Sequence, residues 1–170
     1  LERIEVADPA SPIVRPEVNI PGMFVDASRD GLYAYTLETW YDYVLQKSHT
    51  LFHALALEGD KAYLQSSVEL EGYTSGVHVL DGAAFAVTQW WDSRPVEGVV
   101  CADGAVQWFS QVELVAIDLA DLQAIRIAGK SAIPIDYAYL QKVQGGRAFI
   151  GSGAGIFTYL VGDITAPAFE

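Results

Sequence analysis

The feature that most constrains this chain is an internal repeat. Val18-Asn19-Ile20-Pro21-Gly22 and Val68-Glu69-Leu70-Glu71-Gly72 lie 50 positions apart. The same offset pairs Ala34 with Ala84, Tyr35 with Phe85, and Trp40-Tyr41-Asp42 with Trp90-Trp91-Asp92. A third copy reads at Ile125-Arg126-Ile127-Ala128-Gly129, a further 57 positions on. A period near 50 residues is expected of solenoids and propellers, in which each unit buries its apolar faces only against its neighbours.

Each copy leads to a turn and an apolar run: Asp30-Gly31 before Leu32-Tyr33-Ala34-Tyr35, Asp81-Gly82 before Ala83-Ala84-Phe85-Ala86-Val87, and Gly145-Gly146 before Arg147-Ala148-Phe149-Ile150. Asp-Gly and Gly-Gly supply the positive φ that tight hairpins need. The ends of the chain also match. Ile4-Glu5-Val6-Ala7-Asp8-Pro9-Ala10-Ser11-Pro12 and Tyr159-Leu160-Val161-Gly162-Asp163-Ile164-Thr165-Ala166-Pro167 each carry Pro four positions after Asp. Leu55-Ala56-Leu57-Glu58-Gly59 and Val115-Ala116-Ile117-Asp118-Leu119 fit the same slot between them.

These landmarks predict an all-β fold, a β-propeller-like segment of about three four-stranded blades. The approximate repeats are 13–58, 62–119 and 122–167. In the first, Ile13–Ile20, Met23–Ala27, Leu32–Leu37 and a run ending near Leu57 supply the strands. Four short strands per unit, punctuated by Gly and Asp, is what a blade requires. Apolar residues are needed on both faces of such sheets, which accounts for a 51% hydrophobic content.

The competing architecture is an α+β domain. Leu37, Trp40, Tyr41, Val44 and Leu45 share a helical face, and Ser110-Gln111-Val112-Glu113 has the form of a capping box. A helix over 113–127 would end near Gly129-Lys130. Against the first helix, the equivalent stretch of the second copy contains Pro95. Against the second, the aligned copies carry Pro9, Pro12 or Pro167.

The repeat resembles bacterial secreted β-propellers whose blades carry an apolar strand ending in an Asp-x-x-x-Pro turn. Residues Ile4–Pro12 and Val161–Pro167 carry the likeness, with the Gly22, Gly72 and Gly129 loops and the turns before Tyr33, Ala84 and Ala148. The middle copies depart from it, since Glu58-Gly59 and Asp118-Leu119 lack the Pro. The resemblance implies a secreted, periplasmic or cell-surface setting and no common active site. Three blades do not close a ring of the usual 4–8. Further blades or self-association are therefore expected, two arcs making a six-bladed ring. The chain begins at Leu1, its only Met is Met23, and it shows no signal-peptide pattern, so it reads as a piece of something longer.

Charge narrows the partners. Ten Lys and Arg face 22 Asp and Glu, a formal net charge of −12. That surface repels phosphate backbones and anionic lipid, and no apolar run spans a bilayer, so neither nucleic acid nor membrane insertion is expected. Cys101 is the only cysteine, which excludes an internal disulfide and a Cys-rich zinc site. Asn19 is followed by Ile20-Pro21, so no glycosylation sequon exists.

The most suggestive chemistry is aromatic. Trp40-Tyr41-Asp42, Trp90-Trp91-Asp92 and Trp108-Phe109-Ser110 offer planes for sugar C–H faces beside carboxylates for hydroxyls. The competing role is filling between blades, with Asp capping turns. Trp90 and Trp91 are adjacent on a strand and point to opposite faces, and Trp91 is the one expected to be exposed. Trp40, Asp42, Trp91, Asp92 and Trp108 are thus the candidate ligand-binding residues. Other signals are weaker. His49 and His53 would share a strand face ~13 Å apart, too far for one metal ion. Asp26, Asp30, Asp42, Asp92, Asp103 and Asp136 would gather near loops, where oxygen clusters bind Ca²⁺, although solvated turns are the simpler role. Gly151-Ser152-Gly153-Ala154-Gly155 lacks the Gly-Lys-Ser/Thr ending of a phosphate loop, and Ser152 lacks a Gly-x-Ser-x-Gly frame.

The expected function is a non-catalytic binding or interaction scaffold for a protein or carbohydrate ligand. The alternative is a carbohydrate-binding or hydrolase segment.

Overall fold

A computed structural model describes residues 1–5, 8–15, 17–95 and 106–170; Cys101 and Asp103 lie outside them. Every regular element among the described residues is a strand. A short antiparallel pair, β1 (Arg3–Glu5) and β2 (Ile13–Arg15), is followed by three four-stranded antiparallel sheets. The first contains β3 (Met23–Ala27), β4 (Tyr33–Asp42), β5 (Lys47–Glu58) and β6 (Lys61–Glu71). The central sheet contains β7 (Tyr73–Leu80), β8 (Ala83–Pro95), β9 (Val106–Asp118) and β10 (Arg126–Ala132). The last contains β11 (Tyr139–Gln144), β12 (Arg147–Ser152), β13 (Gly155–Leu160) and β14 (Ala168–Phe169). Strands within each sheet pair in sequence order, so each sheet is an up-and-down meander. Sheet boundaries fall C-terminal to those of the sequence repeats: the first two meanders open just after Gly22 and Gly72, whereas Gly129 lies inside β10 and the last meander opens only at Tyr139.

The α+β alternative is overturned. Residues 37–47 are strand, turn and strand, because the Asp42 carboxylate accepts the N–H groups of Val44 and Leu45 and closes a turn. Residues 113–127 are interrupted in the same manner. Asp118 accepts from Ala120 and Asp121 from Gln123, ending β9 and turning the chain into β10. Asp residues bonding their own following backbone favour turns over helix interiors.

The first hairpin turn of each sheet carries the Gly pair or Asp-Gly pair read from the sequence, with φ of +71° at Gly31, +77° at Gly82, and +59° and +72° at Gly145 and Gly146. Each first strand also slips register against its second: between Phe24 and Asp26, between Thr74 and Val77, and between Leu140 and Lys142. Asp8 and Asp163 make matching turns, their carboxylates taking the N–H of Ala10 and Thr165 and their carbonyls that of Ser11 and Ala166.

The sheets stack face to face. Tyr35, Leu37, Phe52 and Ala54 of the first sheet share a core with Ala84, Ala86, Val115 and Ile117 of the central one. On its other face, Phe85, Val87, Val112 and Leu114 share a second core with Ala148, Ile150 and Tyr159 of the last sheet. Residues Ala83–Gln89 are consequently all buried, and β8 reads as a continuous run rather than an alternation. Outside the stack, Leu1, Val18 and Ile20 cover Ala34, Leu55 and Leu57. Side chains also tie sheet to sheet: Ser66 Oγ donates to the Leu122 carbonyl at 2.7 Å and Ser75 Oγ to that of Ala138 at 2.5 Å.

Candidate functional site

Beyond the cores, β4–β5 and β8–β9 continue as ribbons at one end of the stack. Pairing on β4–β5 runs without a slip from Tyr33↔Ala56 to Asp42↔Lys47, so the side-chain faces follow by alternation. Tyr41 and Ser48, paired directly, lie on the face that packs toward the central sheet. Trp40 and His49, paired next to them, lie on the opposite face, where their rings stack at 5.2 Å and 13°. On β8–β9, equally unbroken, Trp90 shares the face of Ala84 and Ala86 and turns toward the first sheet. Trp91 pairs with Ser110, and Ser93 with Trp108, so these four residues share the other face.

A cleft of about 280 Å³ lies between the two ribbons, bordered by Tyr41, Gln46, Ser48, Trp90, Trp91 and Trp108. Trp91 and Trp108 are 57% and 58% exposed, and Trp90 is half-buried. Gln46 has φ +52°, the one positive value on a non-glycine among the described residues, in the turn that brings β4 back as β5. A second cavity, about 600 Å³, opens on the other side of the β8–β9 ribbon. It is bordered by Ser110 and Gln111, by the 132–137 connection, and by the Ser152-Gly153-Ala154 hairpin.

Of the five sequence candidates, Trp91 and Trp108 therefore border the cleft. Trp40 is 42% exposed but on the far face of its sheet. Asp42 holds its own turn, and the N–H groups of Leu45 and Val44 keep its carboxyl below the usual carboxylate range. Asp92 accepts the N–H of Ser93 at 2.7 Å. Neither carboxylate borders the cleft. Tyr41 and Trp90, whose motifs drew attention, face it in place of Trp40; Gln46 and Ser48 carried no sequence signal.

The remaining polar groups are engaged locally. His49 Nδ1 lies 2.5 Å from Glu69 Oε1, and His53 Nδ1 lies 2.7 Å from Ser67 Oγ, both on the first sheet's far face. Asp26 accepts the N–H of Ala27, and Asp30 accepts the Ser28 hydroxyl and the Leu32 N–H. Among the described residues, no group of three or more His, Cys, Asp or Glu side chains is placed to hold a metal ion. Among the described residues, no helix is long and apolar enough to cross a membrane. A third cavity, about 910 Å³, lies at the opposite end of the first sheet, bordered by Leu1, Ile4, Phe24, Asp30, Leu57 and Asp60 among others.

No protein-family model, curated protein or solved structure matches this chain.

Proposed function

We propose that this chain is a segment of a β-propeller-type binding scaffold, non-catalytic, that meets its ligand at the end where the β4–β5 and β8–β9 ribbons project. The observation that carries the reading is the exposure of Trp91 and Trp108 on a ribbon outside both cores. Large aromatic surface left in water beside a cleft is a common mark of a binding site. The propeller element rests on the repeated meander and on a central sheet buried on both faces, as interior blades must be. The resemblance of the repeat adds a secreted, periplasmic or cell-surface setting.

Among the described residues, nothing bordering the cleft forms the paired carboxylates a glycosidase uses, set ~5–9.5 Å apart across a scissile bond.

The test is an array of peptides and oligosaccharides probed with the chain and with its Trp91→Ala/Trp108→Ala form. Binding of array members that disappears in the variant, with an unchanged far-UV spectrum, supports the proposal. Binding indifferent to both substitutions, or turnover of a bound compound, overturns it.

A further inference from the structure

We propose that the Trp91 face of the β8–β9 ribbon, with the 600 Å³ cavity beside it, is a subsite for a neutral saccharide. This rests on the scaffold reading above and names its ligand class.

The register sets out the platform. Trp91 lies directly across from Ser110, and Trp108 is its diagonal neighbour on the same face. Diagonal positions stand ~7–8 Å apart, close enough for two indoles to make one extended apolar surface. Trp91 and Trp108 border the 280 Å³ cleft, and Ser110, which shares their face, borders the 600 Å³ cavity and so links the aromatic surface to a polar one.

Polar groups on and behind the cavity wall are set for hydroxyl groups, with Gln89 buried behind Ser110 and Asp136. Gln89, two residues below Trp91 on the same face, is 1% exposed. Its Nε2 donates to Ser110 Oγ at 3.0 Å and to the Asp136 carbonyl at 2.8 Å. Its Oε1 has no hydrogen-bond partner, and a buried acceptor left so costs ~1–3 kcal/mol. Ser110 Oγ accepts from Gln89, which leaves its own proton to donate. Ser152 Oγ accepts the Ala154 N–H at 3.0 Å and is in the same condition. The Asp136 side chain adds an acceptor at the rim, and Tyr137 a further exposed ring.

Charge selects among ligands. Among the described residues, Asp136 is the only ionisable side chain besides Tyr137 on the cavity wall, with no Lys or Arg there. On a chain of net charge −12 such a wall disfavours anions. A ligand with apolar C–H faces, many hydroxyl donors and no negative charge fits platform, polar wall and field together. A neutral pyranoside has all three. The cavity volume lies within the ~300–1,000 Å³ range of small-molecule sites.

The experiment titrates the chain with cellotetraose, xylotetraose, mannotetraose and chitotetraose, reading tryptophan emission and heat of binding. At least one should saturate. Trp91→Ala should then weaken it by about tenfold or more, the loss of one stacked indole. Ser110→Ala, which leaves the exposed platform intact, should weaken it less, and Trp40→Phe on the far face should leave it unchanged. A hexuronate oligomer should bind more weakly than its neutral counterpart. The inference is overturned if no neutral sugar saturates, or if the affinity survives Trp91→Ala. Peptide binding that depends on Trp91, with no sugar bound, sinks the saccharide subsite and leaves the scaffold reading standing; no Trp91-dependent ligand of any kind sinks both.

Discussion

Ala84 and Phe85 are adjacent in β8 and belong to different cores. Ala84 lies in the core shared with the first sheet and Phe85 in the core shared with the last. The same division recurs at each second strand. Ala34 faces the amino-terminal segment and Tyr35 the central sheet, while Ala148 faces the central sheet and Phe149 turns away from it. A small residue toward the preceding sheet and an aromatic toward the following one lets sheets stack closely while each ring fills the gap ahead.

Phe85→Ala should therefore open a cavity between the central and last sheets. Truncation of a buried Phe typically costs ~3–5 kcal/mol. Tyr35→Ala should act on the other core. Because the two cores lie on opposite faces of one sheet, the double variant measured by urea denaturation should show near-additive losses, within ~0.5 kcal/mol. Strong coupling would mean that the stack does not consist of separable layers.

Gly22 and Gly72 occupy equivalent places, each just before the first strand of a sheet. Their φ values are +67° and +73°, and a Cβ on them would meet the carbonyl oxygens of Leu37 and Gln89 at 2.2 and 2.1 Å. Gly31, at φ +71°, has nothing within 4 Å. Gly31→Ala should cost only the left-handed backbone penalty, ~1–2 kcal/mol. Gly72→Ala should add a clash with the neighbouring strand and lose more, by ~1–3 kcal/mol of overpacking. Equal denaturation midpoints for the two would show that β7 can move away from β8 freely.

How far the sequence disclosed this arrangement varies by element. The three first hairpins were legible because positive φ leaves a Gly signature, and β3 follows the run Met23–Ala27. Gly129 misled. It lies inside β10 beside a register shift, where a Cβ would meet the backbone oxygens of Ile164 and Thr165 at 2.6 and 2.7 Å. A glycine needed for a passing backbone looks no different in sequence from one that opens a strand. Alternation alone set Trp91 apart from Trp90, but choosing Tyr41 over Trp40 requires knowing which face of β4 is packed. Gln89 and Asp136 meet only through the stacking of two sheets, which no local pattern encodes.

Acid should weaken the fold through its turn carboxylates. The Thr165 hydroxyl and N–H lower the pKa of Asp163, the Ala120 N–H and Arg126 lower that of Asp118, and Arg147 lowers that of Glu170. Groups depressed in the folded state bind protons more readily when unfolded. Their contribution is whole above the ordinary carboxylate range, about pH 5, and is lost as pH falls through the lowered folded values. Asp163→Asn keeps the turn acceptor and removes the titration. Thermal midpoints of wild type and variant should thus converge as pH is lowered from 5 toward 2. A gap that stays constant over that range would show that Asp163 does not titrate with unfolding.

The outward face of the last sheet sets the final expectation. Ile156 and Leu160 are 66% and 43% exposed, and Phe149 lies on the same face by its pairing with Thr158 between them. This is the face that, in the other two sheets, is covered by a following sheet. In the isolated 170-residue chain, a second copy is the available cover, and a heterologous contact of this kind closes a ring of two arcs or propagates. Light scattering should give a mass above that of the monomer, rising with concentration. Leu160→Glu places a charge in the contact and should return the chain to monomer with its β spectrum intact. A wild-type monomer at the highest accessible concentration would mean that this face is satisfied in water and does not drive self-association.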